Sequence, residues 1–159
     1  MRERNWSTQA LRITAVRRNP VGDEAVVCRP IEELPGLLPS ADHIVNLLPL
    51  NPATQRMFGA DSFARMKRSA VCYNVGRGQT VDQPALQTAV STGIISAAWL
   101  DVTDPEPLPP EHPLWSTPNC FITPHTAGGH TSEFFRVVEH FLSNLQRFES
   151  RAPVRDRVF

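Results

Sequence analysis

Three side chains in this sequence have the types and settings that chemistry needs. Arg77 stands between two glycines in "NVGRGQTVD", Glu106 between two prolines in "DPEPLPP", and His125 after a proline in "TPHTAGG". A histidine changes charge near neutral pH, so it can give or take a proton there. A carboxylate beside it fixes its tautomer and favours the imidazolium, which makes the two a general acid/base pair. An arginine adds a planar fork that grips a carboxylate at two points, and a fixed charge that polarises a carbonyl. The set suits the interconversion of a 2-oxo acid and a 2-hydroxy acid. Taken singly, each residue has a plainer reading: Arg77 as a surface turn residue, Glu106 as a solvated loop carboxylate, His125 as a satisfied loop histidine. Their placement decides between these readings.

That placement depends on the elements around them. "LRITAVRRNP" is apolar and β-branched and stops at Asn19-Pro20, and "AVVC", "HIVNLLPL", "SAVCYNVG", "IISAAWLDV" and "NCFITPH" are further strand-length apolar runs. Several are continuous rather than alternating, the pattern of strands covered on both faces in a parallel sheet. Between them lie "IEELPGLLPSAD", a short helical piece broken by prolines, then "TQRMFGADSFARMK", with Met57, Phe58, Phe63 and Met66 at helical spacing, and "DQPALQTAVSTG", which Asp82 caps and Gly93 ends. The last, "TSEFFRVVEHFLSNLQRFES", carries an apolar stripe from Phe134 to Phe148. Alternating strands and helices predict an α/β parallel sheet. Ligands gather at the carboxyl ends of strands in such a sheet. The residues following the strands are Arg17 and Arg18, Pro49, Arg77, Asp101 with Glu106, and His125, so arginine, carboxylate and histidine are expected at one edge. The proline-dense segment after "LDV" is too apolar at Leu108, Leu114 and Trp115 for a disordered linker and reads as a rigid functional loop.

Bulk composition narrows the partners. The 159 residues, 41% hydrophobic and 20% charged, fit one soluble domain. Sixteen basic residues balance sixteen acidic ones, which leaves no global field to draw nucleic acid or an anionic membrane. A basic cluster of Arg2, Arg4, Arg12, Arg17 and Arg18 near the start reads first as a solvated face. Three widely spaced cysteines form no CxxC pair and predict neither a disulfide framework nor a zinc site. His112, His125 and His130 match no helical metal motif, so no metal is expected. No 18-residue apolar run or signal peptide is present, and the cytoplasm is the expected compartment.

The motifs taken together point further. "ADHIVNLLPLNPATQRMF", "MKRSAVCYNVGRGQTVDQPALQTAVSTGIISAAWLDV" and "EPLPPEHPLWSTPNCFITPHTAGG" follow one another over most of the chain. The sequence resembles the later cofactor-domain segment of the NAD(P)-dependent D-isomer specific 2-hydroxyacid dehydrogenases. The resemblance implies that Arg77 binds the substrate carboxylate and carbonyl, and that His125 protonates the carbonyl oxygen while nicotinamide delivers hydride. Glu106 would orient His125 and tune its charge. Asp101 would contact the nicotinamide side of the cofactor, and Pro49, Thr54, Val75 and Gly128 would line its cleft. Arg17 and Arg18 fall where NAD-specific members carry an acidic residue, which favours NADP over NAD. The family's nucleotide domain commonly dimerises, which implies a homodimer.

One family feature is missing from the sequence. The G-x-G-x-x-G fingerprint, which holds the cofactor pyrophosphate, does not occur. The expectation is therefore an incomplete Rossmann-type, doubly wound parallel sheet, a single partial dinucleotide-binding domain over 1–159 with a C-terminal helix and tail over 130–159. It would lack the first strand and its glycine-rich loop. "LRITAV" must then pair directly with "HIVNLL" or leave open edges and an apolar seam. Beside the enzyme reading stands an alternative, a non-catalytic remnant acting as a dimerisation or binding module.

Overall fold

The computed structural model describes residues 11–156 except 21, 23 and 24, so Arg2 and Arg4 lie outside the described residues. Contacts divide the chain into two compact units, Met1–Pro124 and His125–Phe159.

The first unit holds six strands. β1 (Thr14–Arg17) and β2 (Val27–Pro30) form one parallel pair, while β3 (His43–Asn46), β4 (Val71–Asn74), β5 (Ala97–Leu100) and β6 (Cys120–Ile122) form a parallel sheet in that order. All six coincide with apolar runs of the sequence. Of the two outcomes expected for "LRITAV", the second holds, because β1 pairs with β2 and not with β3. In the doubly wound order 3-2-1-4-5-6, the position of strand 1 falls between β1 and β3. Among the described residues no strand fills it.

Helical pieces connect the strands. Between β2 and β3 the chain makes a 3-10 turn at Ile31–Glu33, a single turn α1 (Leu34–Leu37) and a 3-10 turn at Leu38–Ser40, with Pro35 and Pro39 limiting each. α2 (Ala60–Arg65) links β3 to β4, and α3 (Gln83–Ser91) links β4 to β5. α3 starts and ends where the sequence predicts. The Asp82 side chain accepts the N–H of Ala85, and Gly93 adopts φ +70 just beyond the helix.

α2 is shorter than expected. Residues 52–56 form turns, and Phe58 makes a parallel bridge to Val81. Backbone bonds from Arg56 N to Gln79 O, Phe58 N to Thr80 O and Asp82 N to Phe58 O stitch this segment to the chain after β4. Phe58, Phe63 and Met66 are all core residues, as their spacing suggests, but tertiary pairing draws Phe58 out of the helix.

Both sheet faces carry apolar side chains, yet only one is closed. Ile44, Cys72 and Ala98, with Asn46, Asn74 and Leu100, point into a core completed by Leu38, Phe63, Leu86 and Ile95. On the opposite face Val45, Tyr73, Trp99 and Phe121 stand side by side in register. Val45, Trp99 and Phe121 are exposed, and Trp99 stacks on Phe121 with ring centroids 4.3 Å apart.

The second unit contains α4 (Glu133–Glu149) and a tail folded back along it. Arg155 N donates to Asn144 Oδ1 and Asn144 Nδ2 to Arg155 O, while His140 pairs with Asp156. The predicted stripe is present, but Phe134, Phe141 and Phe148 are 85%, 63% and 73% exposed, so it is not a core stripe here.

Candidate functional site

Parallel pairing puts the carboxyl ends of β3 to β6 on one edge, and the ladder continues one step past each strand. Val75 N donates to Asn46 O, Asp101 N to Asn74 O and Thr123 N to Leu100 O. The loops beyond this edge hold Pro49, Thr54, Val75, Arg77, Asp101 and Glu106. Of the strand-end residues, Pro49, Arg77, Asp101 and Glu106 follow strands of this sheet, whereas Arg17 and Arg18 follow β1 of the other pair and His125 lies in the second unit.

Arg77 is fixed from below by buried polar groups. β3 and β4 both end in asparagine, and Asn46 and Asn74 are register partners. Asn46 Nδ2 donates to Asn74 Oδ1 at 2.9 Å and to Thr80 Oγ1 at 2.6 Å, while Asn46 Oδ1 accepts from Leu48 N at 3.1 Å. Asn74 Nδ2 and Thr80 Oγ1 then both donate to the carbonyl of Arg77, at 3.1 and 2.6 Å. Asn46, Asn74 and Thr80 are each 1% exposed or less, and no buried side-chain polar atom lacks a partner among the described residues. A buried, fully satisfied network holds one geometry, because any shift strands a polar group in the core. It clamps the Arg77 backbone while the side chain stays exposed, with Nη1 donating back to Gly76 O at 2.7 Å.

The flanking glycines serve close approach rather than a sharp turn. Neither is among the positive-φ residues. A Cβ on Gly76 would lie 2.7 Å from Leu48 O, and one on Gly78 only 2.0 Å from Thr103 O. The loops after β3 and β5 thus press on both sides of Arg77, leaving its side chain as the group that projects.

The remaining residues are held by similar means. Thr54 Oγ1 donates to Pro49 O at 2.7 Å and accepts from Asn51 N, which shapes the loop after β3. Asp101 is buried and accepts the Thr123 hydroxyl, tying β5 to β6. Gln83, from the start of α3, brackets Asp104 with Nε2 to Asp104 O and Asp104 N to Oε1, both 2.7 Å. Leu108 and Leu114 anchor the proline-dense loop in the core, whereas Trp115 is exposed and donates Nε1–H to Pro109 O. The loop is pinned at both ends with Glu106 exposed between them. Arg17 ends β1 and Arg18 follows it, both exposed.

His125 and Gly128 belong to the second unit. His125 has φ 52, and a Cβ on Gly128 would meet nothing within 4 Å. The thiols of Cys72 and Cys120 are pushed up to about 12 and about 11 by burial, which leaves them protonated and inert.

The sequence reading missed Asn46, Asn74, Thr80 and Gln83. A signal for the first two was available: two successive apolar strands each end in asparagine, on the side of the strand that also carries Ile44 or Cys72. A polar residue on a buried face needs a partner, and its neighbour in register is the nearest one.

Comparison with known proteins agrees with this layout. Residues 4–127 match the model of the family described as D-isomer specific 2-hydroxyacid dehydrogenase, NAD binding domain. A glyoxylate/hydroxypyruvate reductase B from Citrobacter koseri is 45% identical over 131 residues, which is 82% of this chain and 40% of that protein. A structure of a D-isomer specific 2-hydroxyacid dehydrogenase from Xanthobacter autotrophicus Py2, in complex with NADPH and MES, aligns with TM-score 0.81 and 36% identity over 93% of this chain and 61% of that one. An NADPH-dependent glyoxylate/hydroxypyruvate reductase from Sinorhizobium meliloti, in complex with NADP and sulfate, aligns with TM-score 0.81 and 30% identity over 96% of this chain and 49% of that one. The chain spans about two fifths of the Citrobacter protein and about half of the Sinorhizobium one.

Proposed function

The chain belongs to the D-isomer specific 2-hydroxyacid dehydrogenase family, in its NAD-binding domain, and from that premise we propose that it supplies the carboxylate anchor and half of the cofactor cleft for reducing a small 2-oxo acid. Glyoxylate and hydroxypyruvate, named for its relatives, are the substrates of choice. The observation that carries this reading is the buried Asn46–Asn74–Thr80 network, which spends three core positions on fixing the backbone of one exposed arginine. A group so held is preorganised for a bidentate carboxylate.

The residues present fit two ends of a nicotinamide dinucleotide. Arg17 and Arg18 at the end of β1 suit a ribose 2′-phosphate, which favours NADP, and relatives hold NADPH or NADP. Asp101, a buried carboxylate fixed by Thr123, suits the nicotinamide side, and Pro49, Thr54 and Val75 suit the lining of the cofactor cleft. The sequence contains no G-x-G-x-x-G for the pyrophosphate between them. When bound, the nicotinamide supplies the hydride. The chain's own part is to hold the oxo acid's carboxylate on Arg77, to give the carbonyl oxygen a proton from His125, and to set the histidine's tautomer with Glu106. The last two roles rest on the family resemblance.

The test is reduction of glyoxylate or hydroxypyruvate by purified chain with NADPH and with NADH. Turnover that falls at least about a thousandfold in Arg77→Ala and in His125→Ala, with NADPH preferred, supports the reading. Turnover unchanged in Arg77→Ala sinks it. The missing fingerprint favours a second reading, a non-catalytic binding or dimerisation module in the cytoplasm. In that case the chain shows no turnover, and a homodimer appears in sedimentation.

A further inference from the structure

The segment carrying Glu106 is short of backbone donors. Pro105 and Pro107 flank the glutamate and have no N–H to place in a ladder, and Glu106 itself is exposed. Its position therefore depends on how the residues on either side are fixed. After it, Leu108 is buried in the core. Before it, the hold falls on Asp104, and a side chain supplies it. Gln83 Nε2 donates to Asp104 O and Gln83 Oε1 accepts from Asp104 N, both at 2.7 Å. The carboxamide thus takes both backbone groups of one residue, as the facing residue of an antiparallel strand would. Only one orientation of the amide satisfies both bonds.

Gln83 is itself placed by the chain that follows Arg77. It is the first residue of α3, directly after Asp82, whose N–H donates to Phe58 O and whose carboxylate accepts the Ala85 N–H. Gln83 is 6% exposed, so its amide has Asp104 and not water for a partner. Two neighbours join the same segments. Gly78, next to Arg77, lies so close to the loop after β5 that a Cβ would be 2.7 Å from Asp104 N, and Gln79 Nε2 donates to Asp104 Oδ1 at 3.1 Å. Gly78 only permits the approach, and the Gln79 bond is exposed and reaches a side chain. Of the three, Gln83 is the one that grips backbone.

We propose that Gln83 is a positioning residue of the site: it holds Glu106 in a fixed place relative to Arg77, so that the carboxylate governing proton transfer and the arginine anchoring the substrate stay in one arrangement. The inference rests on the roles proposed for Arg77 and Glu106, and adds a residue that acts only through the Asp104 backbone. The two prolines make the transmission stiff. Each holds its φ near about −65°, so a displacement of Asp104 is passed on to Glu106 rather than absorbed. A misplacement of about 1 Å at a reacting site can cost about a hundredfold in rate. Arg77 is held separately by Asn46, Asn74 and Thr80. Loss of Gln83 should therefore split the two functions, sparing substrate binding and impairing proton transfer.

The test compares Gln83→Met, which keeps the length and removes both bonds, with Gln83→Glu, which keeps an acceptor for the Asp104 N–H. Backbone NMR relaxation on the full chain reads the positioning without turnover. The order parameter at Glu106 is expected to fall from about 0.85 to below about 0.6 in Gln83→Met, with Gln83→Glu between, while Thr80 and Ala85 keep their wild-type values. In glyoxylate reduction with NADPH, Gln83→Met should lower kcat at least about tenfold and leave the KM for glyoxylate within about twofold. In a Glu106→Gln background the same change should lower kcat by less than about twofold, because the carboxylate it positions is already gone; a loss through misfolding would persist there. Gln83→Glu carries both comparisons if Gln83→Met does not fold. Equal order parameters at Glu106 in wild type and variant overturn the proposal, and so does a kcat loss undiminished beside Glu106→Gln. A parent chain without turnover counts against the catalytic reading alone, and the relaxation result then decides this one.

Discussion

The two faces of the four-stranded sheet are made by alternate residues of the same strands, yet they have opposite fates. On the closed face, small or branched residues (Ile44, Cys72, Ala98) sit beside the Asn46–Asn74 pair, every polar atom satisfied. On the other, the larger Tyr73, Trp99 and Phe121 form an aromatic row in which Tyr73 is half-buried and Trp99 and Phe121 are exposed. Apolar character alone therefore does not tell a buried face from an exposed one. What separates them is whether the chain's own crossovers, α2 and α3, pass over that side. The closed face carries the core and fixes Arg77, while Val45, Trp99 and Phe121 of the other face are exposed.

Substitutions that act on one face at a time sharpen this contrast. The largest effect is expected for Phe63→Ala, which empties a core site 1% exposed and should cost about 3–5 kcal/mol in urea unfolding. Gly78→Ala comes next at about 3 kcal/mol, since its Cβ collides with the Thr103 backbone, which cannot swing aside. A loss below about 1 kcal/mol would mean that the loop after β5 is not pressed against Arg77. Asn74→Ala should cost about 1–3 kcal/mol by stranding the buried Asn46 amide and releasing the Arg77 carbonyl. The same variant should raise the KM for the oxo acid more than Thr88→Ala does, a change on the exposed side of α3.

Smaller effects follow away from the core. Asp82→Ala removes the α3 cap at a cost of about 1 kcal/mol. Burial pulls the Asp82 carboxyl upward, but hydrogen bonds from Arg56 and the Ala85 N–H and the Arg56 charge outweigh it, and the net direction is down. Its stabilising contribution is thus full above the ordinary value of 3.8 and is lost as the pH falls below it through the lowered folded-state value. The acid limb of a stability profile should be less steep in Asp82→Ala. Trp99→Ala, on the open face, should change stability by no more than about 1 kcal/mol. A larger loss would show that this face is already buried in solution.

Much of the fold was legible because its signals are local. Strand-length apolar runs mark all six strands, and Asp82 and Gly93 mark both ends of α3. For the four-stranded sheet the strand ends were legible as one edge, because parallel pairing carries Arg77, Asp101 and Glu106 to the same side. The helix expected from Thr54 was misread at its start, since Met57 and Phe58 fit a helical period equally well, and only the ladder to Gln79–Asp82 draws Phe58 into a bridge while Met57 N closes a turn on Thr54 O. The α4 stripe was read correctly as amphipathic, but periodicity gives the direction of an apolar face and not its cover.

By itself the sequence determined which segments are strands, which residues end them, and therefore that Arg77, Asp101 and Glu106 share an edge. Pleat, propensity and capping act over a few residues, so a one-dimensional pattern suffices for them. Only the tertiary structure decided that β1 and β3 do not pair, that Gly76 and Gly78 are required by the approach of Leu48 and Thr103, and that two strand-end asparagines and Thr80 hold Arg77 in place. Those outcomes depend on groups far apart in the chain competing for the same space and the same hydrogen bonds, and that competition is settled only when the loops meet.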